Sequence, residues 1–221
     1  MDPVTTSVRG LSSAGGQVLR AATRTVAALR PAAKPLHPRG TVGPATLRRF
    51  GSDERSGAAW LDGPGEDEVL ARRSRAVGLP GPVPDIFGLA LRVPVGDGRY
   101  GDLLLASTGL GQLTRFTLTA GREPHSRPMT TLLPYRSPSG PVLVCAVWRD
   151  DDSLDLFWGR ATGPWHRFAD LCLGTEPVAD QDASVSFDPL HNTLPGLENY
   201  GWGRRLREPS YLTARRSRHA E

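Results

Sequence analysis

The sequence contains almost no lysine, and no part of it is a long apolar run. Lys34 is the only lysine, so arginine supplies nearly all of the positive charge behind the formal net charge of +4. No basic run is interleaved with aromatic residues, and we therefore expect no nucleic-acid partner. No stretch approaches the roughly 18 apolar residues of a membrane-spanning helix, and no signal-peptide pattern is visible. We expect a cytoplasmic protein without a membrane partner.

Cysteine is scarce as well. Cys145 and Cys172 each lie inside an apolar run and do not form a Cys-x-x-Cys pair. This placement predicts two buried free thiols, with a disulfide as the alternative. The four histidines that follow residue 100 are not spaced from cysteine, aspartate or glutamate as metal ligands are, so we expect no zinc site.

Glycine and proline are abundant, and together they make up about a fifth of the 221 residues. This composition is typical of many short strands joined by turns. Apolar runs between turn-forming segments predict strands at 41–50, 68–77, 86–95, 102–107, 113–118, 129–135, 142–148, 154–158, 166–173 and 185–187. About ten short strands without helices between them predict a mainly β protein, an antiparallel sheet closed or nearly closed into a barrel.

Helices are predicted only at the two ends of the chain. Apolar residues at helical spacing between residues 7 and 30 indicate an amphipathic helix, which the prolines at 31 and 35 end. We therefore divide the chain into an N-terminal helical arm, residues 1–36, and a β-barrel domain, residues 37–221, with a C-terminal helix. In the first strand, Val42, Leu47 and Phe50 are candidate inward positions.

The C-terminal helix contains the most informative pattern. Arg207 and Tyr211 are four residues apart and share a helical face, to which Arg218 returns two turns later. Nearby guanidiniums lower the pKa of a phenol and favour the phenolate. A tyrosine phenolate is one of the axial ligands that haem iron accepts from a protein. Taken alone, the segment also fits a basic helix on the protein surface.

The spacing Arg-x-x-x-Tyr with a further arginine seven residues on resembles the proximal haem helix of the catalase superfamily. Three other segments resemble that family in the same order along the chain. Residues 36–40, with His37, resemble the distal-histidine segment. Residues 72–78 resemble the strand that supplies an arginine to a haem propionate. Residues 85–93, followed by 101–104, resemble the glycine-containing strand and the start of the next one.

The resemblance implies an eight-stranded antiparallel barrel that binds haem b. Tyr211 would be the axial iron ligand, and Arg207 and Arg218 would support its charge. Arg72 would bind a haem propionate, because a guanidinium can grip a carboxylate with two hydrogen bonds. Arg73 and Arg75 are alternatives, and strand alternation places both on the other face of the strand. The chain is very short for this family.

The resemblance also suggests catalytic residues. His37 would be the distal base that takes and returns the peroxide proton, although a surface turn histidine is the alternative. Catalases place an asparagine a few residues after the aspartate that corresponds to Asp102. This sequence has Ala106, Ser107 and Thr108 in that region, and Ser107 is the candidate hydrogen-bond donor.

Two functions follow from these patterns. The first is a haem-dependent peroxidase or related enzyme whose substrate is peroxide or an organic hydroperoxide. The second is a degenerate barrel that has lost the cofactor and serves as a binding or interaction module. The missing asparagine leaves open whether the protein is an enzyme, and whether it would act as a catalase, a peroxidase or an isomerase. A homodimer is compatible with the sequence.

Overall fold

The computed structural model describes residues 40–76, 83–174, 185–203 and 205. The predicted N-terminal arm, His37 and the segment that contains Arg207, Tyr211 and Arg218 lie outside these residues. Within the described ranges, no helix is long and apolar enough to cross a membrane.

One antiparallel sheet closes on itself to form a barrel. Its strands are β1 (Gly40–Arg49), β2 (Gly65–Arg75), β3 (Phe87–Gly96), β4 (Arg99–Ser107), β5 (Met129–Thr130), β6 (Tyr135–Ser137), β7 (Gly140–Trp148), β8 (Ser153–Arg160), β9 (Trp165–Leu173) and β10 (Glu198–Asn199). The ring runs β1, β2, β3, β4, β5, β7, β8, β9 and back to β1, while β6 and β10 extend the sheet beside β7. The predicted antiparallel barrel is confirmed.

Tight turns join neighbouring strands of the ring. Between β3 and β4 the chain turns at Gly96, Asp97 and Gly98, whose φ angles are 90°, 53° and 68°. Left-handed backbone of this kind favours glycine, and aspartate is among the few other residues that tolerate it. The sequence therefore specifies this hairpin locally, as predicted.

The barrel interior is a packed hydrophobic core. Alternate residues of each strand point inward, among them Val69 and Ala71 on β2 and Leu89 and Leu91 on β3. A four-residue helix, α1 (Ala59–Asp62), follows β1 and adds Trp60 and Leu61 to this core. Trp60 meets the ring of Phe168 edge to face at 5.5 Å. The connection between β1 and β2 thus contains a short helix that packs on the barrel.

The strand predicted at 113–118 is wrong. Residues Thr114–Phe116 form a single 3₁₀ turn instead, and the reason is the buried side chain of Arg115. Its guanidinium donates hydrogen bonds to the carbonyls of Gly111 and Leu110 beside it and of Arg160 and Gly163 across the barrel. Burial lowers the pKa of Arg115 from its usual value. Hydrogen bonds from one side chain to four carbonyls favour a turn over an extended strand.

Two further strand predictions need correction. The strand predicted at 129–135 is divided into β5 and β6, because Leu132 adopts a φ of 59° that no regular strand allows. Residues 185–187 are not a strand, and their backbone bonds to side chains instead. Arg92 Nη2 donates to the Ser186 carbonyl at 2.6 Å, and Asp188, which follows the segment, donates its N–H to Asp102 Oδ2 at 2.7 Å.

Some predicted side-chain positions are also wrong. Leu47 lies in the core as predicted, but Val42 is buried on the opposite face of β1, and Phe50 is 46% exposed beneath the guanidinium of Arg167. Strand alternation explains this, since Val42 and Phe50 differ in parity from Leu47. Both cysteines are free thiols, as predicted, but only Cys145 is buried, and Cys172 is exposed. Burial raises the pKa of the Cys145 thiol to about 12, so it is protonated at neutral pH.

An ion pair between a half-buried arginine and a buried aspartate ties the irregular connection after β9 to the barrel. Arg92 on β3 and Asp102 on β4 are cross-strand partners, and both guanidinium–carboxylate hydrogen bonds are short, at 2.8 and 2.9 Å. This hydrogen bonding raises the pKa of Arg92 above its ordinary value. Asp102 Oδ2 also accepts hydrogen bonds from Asp188 N and Asn192 Nδ2. The carboxylate is therefore the centre of a network between sequence-distant segments.

We expect Asp102→Ala to destabilise the protein by about 2–3 kcal/mol, because it removes the buried carboxylate that accepts hydrogen bonds from Arg92, Asp188 and Asn192. Denaturant unfolding followed by tryptophan fluorescence measures this loss. Glu198→Ala is the control, since it breaks an exposed pair with Arg136 at 3.2 Å and should cost about 1 kcal/mol or less. Equal losses in the two variants would contradict the role assigned to Asp102.

Candidate functional site

Arg72 lies on the face of β2 opposite to the core residues Val69 and Ala71. Despite facing away from the core, it is only 6% exposed. Its cross-strand partners are Val42 on β1 and Ala90 on β3. Directly paired residues of antiparallel strands share a face, so these three side chains form one row across the sheet. The structure thus places a buried cation on the outer wall of the barrel.

A second row, one step towards the start of β1, has almost no side chains. It runs Gly40, Ser74, Gly88 and Ala106 across β1, β2, β3 and β4. A Cβ on Gly40 would lie 2.7 Å from Arg72 Cζ and 2.8 Å from Arg72 Nε. The Arg72 guanidinium therefore occupies the space that a side chain at position 40 would fill. Among the described residues, this row beside Arg72 has few side-chain atoms beyond Cβ, as the close approach of a flat ligand requires.

Ser107 lies on the opposite face of β4 from Ala106, on the side of the core residues Leu103 and Leu105. It is fully buried. Its hydroxyl donates to the Thr119 carbonyl at 2.7 Å and accepts from the Phe87 N–H at 3.1 Å. These bonds connect β3, β4 and the turn that follows. They give Ser107 a structural part, while its catalytic role stays a prediction. The structure does not bring Ser107 and Arg72 to one face.

Asp85 and Gly88, in the segment that resembles the glycine-containing strand, have structural roles. Asp85 is buried, and its backbone exchanges two hydrogen bonds of 2.9 Å with Gly121. Its carboxylate accepts the N–H of Ile86 at 2.8 Å and pairs with Arg75 Nε at 3.4 Å. This residue fixes the start of β3, where Gly88 follows in the small-residue row.

Of the six predicted site residues, the structure describes Arg72 and Ser107. The roles of His37, Arg207, Tyr211 and Arg218 remain predictions. In the part of the chain that the structure describes, no cluster of three or more His, Cys, Asp or Glu side chains could hold a metal ion.

One residue of interest was missed. No sequence pattern singles out Arg122, which follows the bridge of Gly121 with Asp85 and lines a pocket together with Arg73 and Arg75. Only the three-dimensional fold brings these three guanidiniums to one place, although strand alternation already puts Arg73 and Arg75 on a common face.

The fold is similar to that of a known enzyme. A crystal structure of a fungal catalase superposes on 87% of this chain with a TM-score of 0.61, at 11% sequence identity. The match covers 60% of the fungal catalase, so this chain spans less than two thirds of that protein's length. No family model matches the sequence, and no curated protein matches it significantly.

The class defined by the architecture is therefore a catalase-like β-barrel. The likeness at 11% identity concerns the fold, whose closed antiparallel ring agrees with the resemblance drawn from the sequence motifs. Function must be argued from the site, because one fold supports many functions.

Proposed function

We propose that the protein binds haem b and uses it to act on peroxide or an organic hydroperoxide. Tyr211 would hold the haem iron, Arg207 and Arg218 would support its phenolate, Arg72 would bind a propionate, and His37 would transfer the substrate proton. We further propose a cytoplasmic location and no nucleic-acid or membrane partner. A homodimer is compatible with this proposal.

The observation that carries the proposal is the position of Arg72 in a catalase-like barrel. The motif resemblance assigns the propionate contact to this arginine, and in the structure it is the arginine of β2 that is buried on the outer wall. Arg73, the alternative, is exposed on the other face. The low row of Gly40, Gly88 and Ala106 next to it supports the close approach of a flat macrocycle. The described residues fit haem in these two respects.

Each residue of the site has a separate task. Bound haem supplies the redox chemistry of O–O bond cleavage. Arg72 fixes the orientation of the cofactor through two parallel hydrogen bonds to a carboxylate. Arg207 and Arg218 keep Tyr211 ionised, because a nearby positive charge favours the phenolate. His37 accepts the proton of the substrate hydroperoxide and returns it to the leaving oxygen, which a group with a pKa near neutral does best.

We expect Arg72→Gln to weaken haem binding by about ten- to a hundredfold, the usual worth of hydrogen bonds to a charged group. Haem affinity is measured by absorbance titration of the purified protein. Arg73→Gln is the matched control, because it removes the same charge from the adjacent residue on the opposite face, and it should change the affinity by about twofold or less. Comparable weakening by both variants would show that net charge, not a specific contact, determines the affinity.

Of positions 106 and 107, the one on the outer face of the sheet is where an asparagine side chain could act on the substrate. Ala106 shares the face of Arg72, whereas Ser107 points into the barrel and bonds to Phe87 and Thr119. We expect Ala106→Asn to increase peroxide disproportionation by about tenfold, since a preorganised donor stabilises developing charge. Ser107→Asn should give no increase. Oxygen evolution measures both rates. A faster rate in Ser107→Asn alone would contradict the proposal that the substrate lies on the outer face.

A cofactor-free binding module is the second candidate. It is favoured by the match to only 60% of the fungal catalase and by alanine at position 106. A barrel with less surrounding structure has less wall to cover a macrocycle. Haem binding separates the two candidates.

A further inference from the structure

α1 and its flanking loop pack against one end of the barrel. The opposite end is where β1 begins, β2 ends, β3 begins and β7 ends. It contains a pocket of about 420 Å³, here called the mouth pocket, defined by Arg73, Arg75, Arg122, Phe87, Met129 and Trp148. Pockets of this size are typical of small-molecule sites.

The floor of the mouth pocket is apolar. Phe87 and Met129 are buried, and they continue the inward-facing rows of β3 and β5. Trp148 forms part of the wall, and its ring meets that of His125 edge to face at 4.5 Å. The indole N–H of Trp148 is buried and has no acceptor within the described part of the chain. An apolar surface next to an unused donor suits a ligand that is mostly hydrocarbon but carries an oxygen acceptor.

The rim of the mouth pocket is cationic. Arg73 lies in the same row as Leu89, and Arg75 pairs across the sheet with Phe87. Arg75 is held in place by Asp85 and by a hydrogen bond of 2.9 Å from its Nη2 to the Val83 carbonyl.

The other two guanidiniums have no counter-charge among the described residues. No acidic side chain of the described chain pairs with Arg73 or Arg122, and none of the described lining residues is acidic. Like charges gathered at an apolar opening repel one another, and a bound anion would remove that repulsion.

We propose that the mouth pocket binds an amphipathic carboxylate, an apolar molecule that ends in a carboxylate group. The guanidiniums of Arg73 and Arg122 bind the carboxylate, which matches their geometry. The apolar body lies against Phe87 and Met129, which disfavours a small, fully hydrated anion. Arg73, Phe87 and Met129 belong to the inward-facing rows, whereas Arg72 and Ala106 face outward. The mouth pocket also borders Gly40, Ser74 and Gly88 of the row of small residues, but its anion-binding arginines do not include Arg72, so the proposal does not rest on haem binding.

The test is calorimetric titration of the full chain, without added haem, with four probes. Octanoate should bind and saturate at one site. Octanol, which has no charge, and inorganic phosphate, which has no apolar body, should bind at least tenfold more weakly. Octyl phosphate tests whether the site prefers a carboxylate or a phosphate head group. Octyl phosphate binding more tightly than octanoate would overturn the carboxylate assignment, and equal binding of octanol would overturn the role of the charge.

Substitutions of single arginines test whether octanoate binds in the mouth pocket. Arg73→Gln and Arg122→Gln, on a strand and on a loop, should each weaken octanoate binding by about tenfold. Arg99→Gln is the control, because Arg99 is an exposed arginine at the other end of β4 that pairs with Asp97 at 3.5 Å. Circular dichroism checks that each variant is folded. If Arg99→Gln weakens binding as much as the other two, or if neither of them weakens it, the mouth pocket is not the site.

Discussion

We expect His37→Ala to lower peroxide turnover by about 10²–10⁴-fold while haem binding is retained. This is the usual worth of a positioned general acid–base group. Heterolysis of the O–O bond needs the proton of the attacking oxygen to move to the leaving oxygen, and an alanine can neither accept nor return it. Steady-state peroxide consumption at equal haem loading measures the loss.

His191→Ala is the control for this change. His191 is an exposed histidine that bonds to Asp188 at 2.9 Å on the connection after β9. Its removal should leave turnover within about twofold of the parent, as for most surface substitutions. If both histidine variants retain full turnover, the distal proton transfer does not depend on His37, and the protein would carry or sense haem without peroxide chemistry.

Tyr211→Phe should remove the axial ligand and abolish the Soret band of the ligated haem. Phenylalanine has nearly the same shape as tyrosine but no oxygen to donate to iron. Tyr200→Phe is the matched control. Tyr200 stacks on Trp202 with ring centroids 5.9 Å apart, and burial raises the pKa of its phenol, so it is not a phenolate at neutral pH. An unchanged spectrum in Tyr211→Phe would remove this residue from the iron.

The barrel could be predicted from the sequence because local signals determine most of its strands. Turn residues such as those at 96–98 set the hairpins, and the apolar runs between them have strand length. Closure of the sheet, by contrast, depends on pairing of β1 with β9, whose residues are more than 100 positions apart. In the sequence, only the number of predicted strands indicated that the sheet closes.

Two of the strand errors, at 113–118 and 185–187, share a physical cause, which is an arginine side chain that bonds to distant backbone. Arg115 binds the carbonyls of Arg160 and Gly163, and Arg92 binds the carbonyl of Ser186. Sequence propensity depends only on residues that are close in the chain. It does not include the hydrogen bonds of an arginine to carbonyls that the fold brings together.

Strand alternation predicts part of the candidate site, namely which neighbouring residues lie on opposite faces of a strand. Alternation separates Arg72 from Arg73, and the structure adds that Arg72 is the buried one of the two. It also separates Ala106 from Ser107, but which of them shares a face with Arg72 depends on the register of β2, β3 and β4. Register follows from long-range pairing, so the sequence alone left both positions open.

The central claim, that this catalase-like barrel holds haem, is tested most directly by titrating haem into the purified full chain and following absorbance and thermal melting together. Our account predicts saturation at one haem per chain. At a free haem concentration a hundredfold above the Kd, binding adds about 2.7 kcal/mol of stability and raises the melting temperature by about 5–10 °C. A protein that shows no saturable spectral change and no rise in melting temperature would contradict the account and leave the cofactor-free barrel.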